Sequence, residues 1–146
     1  MSDRPLFTGS AEHSLDDKGR LVVPSRFRER LGAGFYLSID EPDGCLVLYP
    51  AATWNDVCAK LQAAPVKDAR FRTFVRRLFA HTEEVSCDPQ GRVGVPAALR
   101  TWAGIGKDVV SIGSMTRVEV WAKERYDRHV ADPTELPDFT SELGLF

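Results

Sequence analysis

Apolar residues fall along this chain in short runs punctuated by Gly, Pro and Asp, each the length of a strand or a short helix. Arg20-Leu-Val-Val, Phe35-Tyr-Leu-Ser-Ile and Cys45-Leu-Val-Leu-Tyr carry the branched and aromatic side chains of strands, and Glu41-Pro-Asp-Gly joins the last two as a hairpin. Ahead of the first strand, Ser14-Leu-Asp-Asp-Lys-Gly-Arg reads as a tight turn closing another β-hairpin, because Asp side chains accept from the backbone beyond them and Gly19 takes positive φ without strain. Pro24 suits the first turn of a helix, which Ser25-Arg-Phe-Arg-Glu-Arg-Leu continues until Gly32 ends it. Helices are also predicted over Ala51 to Gln62 and Asp68 to Ala80, interrupted near Ala64-Pro65.

The second half repeats this plan. At an offset of 72 residues, Asp16, Gly19, Arg20, Pro24 and Arg28 align without gaps on Asp88, Gly91, Arg92, Pro96 and Arg100. The register holds for another thirty residues through Gly32 and Gly104, Leu46 and Val118, Leu48 and Val120, Tyr49 and Trp121, Trp54 and Tyr126. Duplication of one strand-helix-hairpin unit accounts for this better than chance. The second copy has its turn at Asp88-Pro-Gln-Gly-Arg, a strand over Val93 to Val95, a helix over Ala97 to Ala103, paired strands over Asp108 to Ile112 and Arg117 to Trp121, and a closing helix over Lys123 to Val130. Residues 1–130 therefore form one double domain (repeat one about 7–60, linker helices about 51–80, repeat two about 81–130). Residues 131–146, with Pro133 and Pro137, form an acidic tail expected to lack fixed structure.

Charge refines the picture through its distribution. The net charge of −2 arises in the tail, where Asp132, Glu135, Asp138 and Glu142 stand without a Lys or Arg; the first 130 residues hold all 19 basic groups against 17 acidic ones. Within them, Lys18, Arg20, Arg26, Arg28 and Arg30 form one basic segment and Lys67, Arg70, Arg72, Arg76 and Arg77 another, although such runs are often only solvated helix faces. No apolar stretch is long enough to span a membrane and no secretory leader is visible, which points to a cytoplasmic protein. Cys45, Cys58 and Cys87 make no Cys-x-x-Cys pair, and His13, His81 and His129 lie far apart, so neither a metal site, a cofactor site nor a catalytic constellation is suggested; His81 is placed to cap helix carbonyls.

The duplicated turns carry the chemistry. An arginine directly after a Gly turn stands at a tip from which its planar fork reaches phosphate oxygens or a guanine edge. Asp16 is spaced to hold Arg20, Lys18 adds a point charge, and the Gly19 N–H can approach a phosphate where no Cβ intervenes. In the second turn Asp88, Gly91 and Arg92 repeat the arrangement, with Gln90 in place of the lysine, so the first turn is expected to be the richer DNA contact. A surface ion pair tying a hairpin would explain one such turn. It does not explain why polar surface identities persist in two copies while core positions drift, Val22 becoming Gly94 and Phe27 becoming Leu99.

From about Phe7 to Tyr126, the run Asp16-Asp-Lys-Gly-Arg-Leu-Val-Val-Pro-Ser-Arg-Phe-Arg, then Cys45-Leu-Val-Leu-Tyr-Pro, Trp54 and Asp88-Pro-Gln-Gly-Arg-Val-Gly-Val-Pro resembles the MraZ family. That resemblance implies an α+β fold in which two AbrB-like repeats interlock as a pseudo-dimeric β-barrel with flanking helices. It also implies a nucleoid-associated regulator that binds repeats in double-stranded promoter DNA of its own division and cell-wall operon, and that assembles into homo-oligomeric rings, often octamers. Phe71, Phe74, Val75, Leu78 and Phe79 on the linker helices are candidates for the subunit interface, or else pack on the subunit's own barrel. The rival reading is an oligomeric protein-interaction scaffold without specific DNA binding, which salt dependence would distinguish.

Overall fold

In a computed structural model of the chain, which describes residues 6–132 and 139–144, the apolar runs become strands and the segments between them helices. Repeat one comprises β1 (Ser10–Ser14), β2 (Arg20–Val22), α1 (Ser25–Leu31), β3 (Phe35–Asp40), β4 (Cys45–Pro50) and α2 (Ala51–Gln62). Then α3 (Ala69–Ala80) leads into repeat two, with β5 (Glu83–Val85), β6 (Arg92–Gly94), α4 (Ala97–Trp102), β7 (Asp108–Ser114), β8 (Arg117–Ala122) and α5 (Lys123–His129). One helical turn, α6 (Phe139–Glu142), lies in the acidic tail, whose Pro133 and Pro137 fall outside the described residues. Pro24 and Pro96 directly precede α1 and α4 with φ of −51° and −55°, the value their rings impose. At the start of α3, the Asp68 side chain accepts from the Phe71 N–H at 3.1 Å, satisfying a donor that the helix leaves open.

Within each repeat the later strands form a hairpin, β3 with β4 and β7 with β8, while the strands flanking the Asp turns pair across the repeats. Neither Asp turn closes a β-hairpin, contrary to expectation: β1 runs antiparallel to β7, from Ser10 opposite Ile112 to Ser14 opposite Asp108, while β2 pairs with β6 in a separate two-stranded ribbon. In the reciprocal exchange, β5 of repeat two pairs with β3 of repeat one. The cause lies in the residues beyond each turn. Leu21, Val23, Val93 and Val95 are all buried, and the exchange gives their backbone partners in the other repeat: Val23 N–H donates to Gly91 O at 2.9 Å and Val95 N–H to Gly19 O at 3.0 Å.

The larger sheet has the order β1-β7-β8-β4-β3-β5 and is wholly antiparallel. It is open. Among the described residues, β1 and β5 each pair on one side only, and β5 is three residues long, so the expected closed barrel does not form. In the ribbon Leu21 lies opposite Val93, and in the sheet Val47 lies opposite Glu119. Both pairs are separated by the repeat offset of 72, so a pseudo-twofold axis runs through both ladders.

The core lies between ribbon and sheet, where Phe27 of α1 meets Phe7 edge-on at 6.3 Å and Leu99 of α4 is buried beside them in the same cluster. A second aromatic group centres on Trp54 of α2, with Tyr36, Tyr49 and Phe79 at 5.4–5.6 Å. On α3 only Leu78 is buried; Phe71 and Val75 are half-buried, and Phe74 and Phe79 remain exposed.

Candidate nucleic-acid interface

Each Asp-x-x-x-Arg turn is a closed set of hydrogen bonds. Asp16 Oδ1 accepts from the Lys18 and Arg20 N–H groups at 2.9 and 2.8 Å, and Oδ2 accepts from Arg20 Nε at 2.6 Å. Asp88 repeats this with Gln90 and Arg92: 3.0 and 2.8 Å from the backbone and 2.8 Å from Nε. Gly19 and Gly91, at φ of +73° and +79°, supply the left-handed residue that the turn requires. The Arg20 backbone N–H, and after it the Arg20 guanidinium and the Lys18 N–H, hold the Asp16 carboxyl below the usual range against a smaller opposing effect of burial; Asp88 is held down in the same way by Arg92 and Gln90. Both carboxylates are thus ionised at neutral pH, and each fixes its arginine through Nε. Among the described residues the Arg20 terminal nitrogens take no further partner, whereas Arg92 Nη2 donates to Gln90 Oε1 at 3.3 Å.

The ribbon puts both arginines on one surface. Directly opposed residues of an antiparallel pair share a face, and successive residues alternate. Leu21 and Val93 point inward and are buried; Arg20, Val22, Arg92 and Gly94 occupy the outer face, with Arg20 opposite Gly94 and Val22 opposite Arg92. Val22 and Gly94 are therefore surface positions and not the core positions expected, because strand alternation turns them away from Leu21 and Val93. The two turns that lie 72 residues apart in sequence therefore form one platform.

Arg28 and Arg100 belong to this platform too; sequence reasoning placed Arg28 only in a basic segment and gave neither a role at the turns. An atom added at the Cβ position of Gly19 would lie 2.1 Å from Arg100 Nη1, and one at Gly91 1.5 Å from Arg28 Nη1. Each helix thus lays a guanidinium over the turn glycine of the other repeat, and Arg100 Nη1 also donates to Val95 O at 2.5 Å. The signal was their identity across the offset; what it lacked was the partner. The same packing corrects the part expected of Gly19. It is buried, and its N–H donates to Asp16 O at 2.9 Å, so that donor is already engaged and the glycine's contribution is conformation and room. Beside this turn, Asp17, Arg100 and Lys107 line a cleft of about 280 Å³.

Other constellations are occupied by internal bonds. Asp40, Cys45 and Glu119 bring possible metal-ligand atoms within 4.8 Å of one another. Arg117, however, pairs with Asp40 at 2.5 Å and Glu119 at 2.6 Å, Trp121 Nε1 donates to Glu119 at 3.0 Å, and burial pushes the Cys45 thiol up and keeps it protonated. The cluster is an ion-paired knot joining the repeats. His13 bonds Ser111 at 2.8 Å, and His81 Nδ1 lies 2.8 Å from Arg77 O at the end of α3, where a cap was expected. In the first basic segment, Arg26 lies over the Phe27 ring and bonds Ser10 O. In the second, the basic residues of α3 face solvent, with Arg77 paired to Glu41. No described helix is long and apolar enough to cross a membrane.

A protein-family model described as "MraZ protein, putative antitoxin-like" matches the chain twice, over residues 6–77 and 78–142. Proteins named transcriptional regulator MraZ are similar to it over nearly its whole length: that of Clostridium acetobutylicum is 42% identical over 96% of this chain and 100% of its own. The counterpart from Acetivibrio thermocellus is 45% identical over 87% and 88%, and that from Moorella thermoacetica 39% identical over 94% and 95%.

Proposed function

The chain belongs to the MraZ family, and from that premise we propose that it is a DNA-binding transcriptional regulator, not an enzyme, which grips double-stranded promoter DNA through the outer face of the β2–β6 ribbon. One observation carries the reading: two Asp-anchored arginines, Arg20 and Arg92, stand on a single two-stranded ribbon with their carboxylate partners fixing the same nitrogen in each. A two-stranded ribbon fits the major groove, and a guanidinium anchored through Nε keeps its terminal nitrogens for a phosphate or for guanine O6 and N7. Lys18 beside Arg20 supplies a further phosphate contact, Gln90 beside Arg92 a weaker neutral one, and Arg28 and Arg100 stiffen the turns from behind. The strand exchange supports the interlocked, AbrB-like arrangement that the resemblance implies.

The same resemblance supplies the target, direct repeats upstream of the chain's own division and cell-wall operon, and a cytoplasmic, nucleoid-associated setting. A nearly neutral subunit offering a few cations binds such DNA weakly alone. A homo-oligomeric ring, octameric as the resemblance suggests, presents several ribbons to tandem repeats and gains by effective concentration without any new contact. The part of α3 from Phe71 to Val75, where Phe74 is exposed, is the surface through which we assign that assembly.

Fluorescence anisotropy on a duplex carrying the chain's own upstream region, against a scrambled duplex at two salt concentrations, tests the reading. Promoter-selective binding that weakens steeply with salt and is lost in Arg20→Ala is expected, since each neutralised phosphate releases counterions. Absence of binding to either duplex by assembled protein would favour a protein-interaction scaffold.

A further inference from the structure

The outer face of the ribbon holds one side chain that anchored arginines do not explain. Val22 is 47% exposed, lies directly opposite Arg92 and shares its face with Arg20. Its counterpart in repeat two is Gly94, opposite Arg20, with no atom within 4 Å of where a Cβ would stand. Val22 takes no part in the buried core, and the two flanking cations make its surroundings a poor seat for an apolar protein partner.

Resting on the proposal that this ribbon enters the major groove, we infer that Val22 is a specificity residue that packs on the C5-methyl group of a thymine next to the position held by Arg92. The methyl is the one apolar feature on the major-groove edge of the base pairs, and an aliphatic side chain between two cationic anchors is matched to it in chemistry. Gly94 leaves the opposite half of the face indifferent to that methyl. The pseudo-twofold axis through Leu21 and Val93 would otherwise make the readout palindromic. With Val22 on one side and Gly94 on the other, a subunit sits on its site in one orientation, as tandem direct repeats demand and inverted repeats do not.

Thymines in one promoter repeat are replaced one at a time by deoxyuridine, which deletes only the methyl, and affinities are measured by anisotropy for the wild type, Val22→Ala and Gly94→Val. One thymine is expected to weaken wild-type binding about fourfold on demethylation, the equivalent of roughly 0.8 kcal/mol for one buried methyl. Val22→Ala should bind the thymine and uracil duplexes alike, and Gly94→Val should acquire a second sensitive thymine, related to the first by local twofold symmetry. Should no thymine be sensitive while Arg20→Ala still abolishes selective binding, the ribbon reading stands and the role of Val22 falls. Sensitivity that persists undiminished in Val22→Ala also sinks it, and a wild type with no promoter selectivity removes both.

Discussion

Substituting Gly19 by alanine tests the cross-repeat packing of the turn directly. Two contributions arise. The backbone at φ +73° places an L side chain in the left-handed region, at a cost of about 1–2 kcal/mol. The new Cβ would also stand 2.1 Å from Arg100 Nη1. Because that atom is the end of a flexible side chain, it swings away rather than clashing, and what is lost is its charge-assisted bond to Val95 O, which for a half-buried guanidinium contributes about 1–2 kcal/mol. Gly19→Ala should therefore destabilise the fold by about 2–4 kcal/mol, which at about 2–4 °C per kcal/mol for a chain of this size lowers Tm by roughly 9 °C. In an Arg100→Ala background only the backbone contribution remains, so the same substitution should cost about 1–2 kcal/mol. Urea denaturation of the four proteins gives the cycle. An equal cost of Gly19→Ala in both backgrounds would refute the placement of Arg100 over the turn.

Other outcomes follow from the same geometry. Arg20→Ala should weaken promoter binding more than Arg92→Ala in anisotropy titrations, because Lys18 stands beside the first arginine while Gln90 already holds a terminal nitrogen of the second; equal losses would make the two turns equivalent contacts. Arg117→Ala leaves the Asp40 and Glu119 carboxylates without their shared cation and should destabilise by about 3 kcal/mol in urea, whereas restoring charge with Arg117→Lys should recover part of that loss. Burial holds the His13 imidazole below its ordinary pKa, so the folded chain binds fewer protons than the unfolded one once pH drops below about 6.5. Stability should therefore fall as pH is lowered from 7 to 5.5, and His13→Gln should flatten that part of a Tm against pH profile.

Elements with local signals were legible in the sequence. The runs that became β3, β4, α1 and α2, and the positions of Pro24 and Pro96 before their helices, follow from periodicity and fixed φ alone. The Asp turns were legible as turns, since their bonds close within five residues. Which strands they join was not: an Asp-x-x-x-Arg turn has the same local bonds whether its flanks pair with each other or diverge into two sheets, and only the burial of Leu21 and Val93 against the other repeat decides. The strand β1, Ser-Ala-Glu-His-Ser, has no apolar alternation and exists because β7 supplies its backbone partners. For the same reason Arg28 and Arg100 could be seen to recur but not to cross over, because a repeat identifies equivalent residues and says nothing of which copy they touch.

A residue on the symmetry axis of a true homodimer must meet its own copy. Glu119 occupies such a place in the β4–β8 ladder, yet the residue opposite is Val47. Two chains made only of repeat two would each bring this carboxylate to the same point at the centre of a buried sheet. Joining the copies in one polypeptide removed that constraint, letting one half keep an aliphatic side chain where the other acquired an ionic knot. The two halves are therefore not interchangeable across this ladder: repeat two is fitted to repeat one and not to a copy of itself.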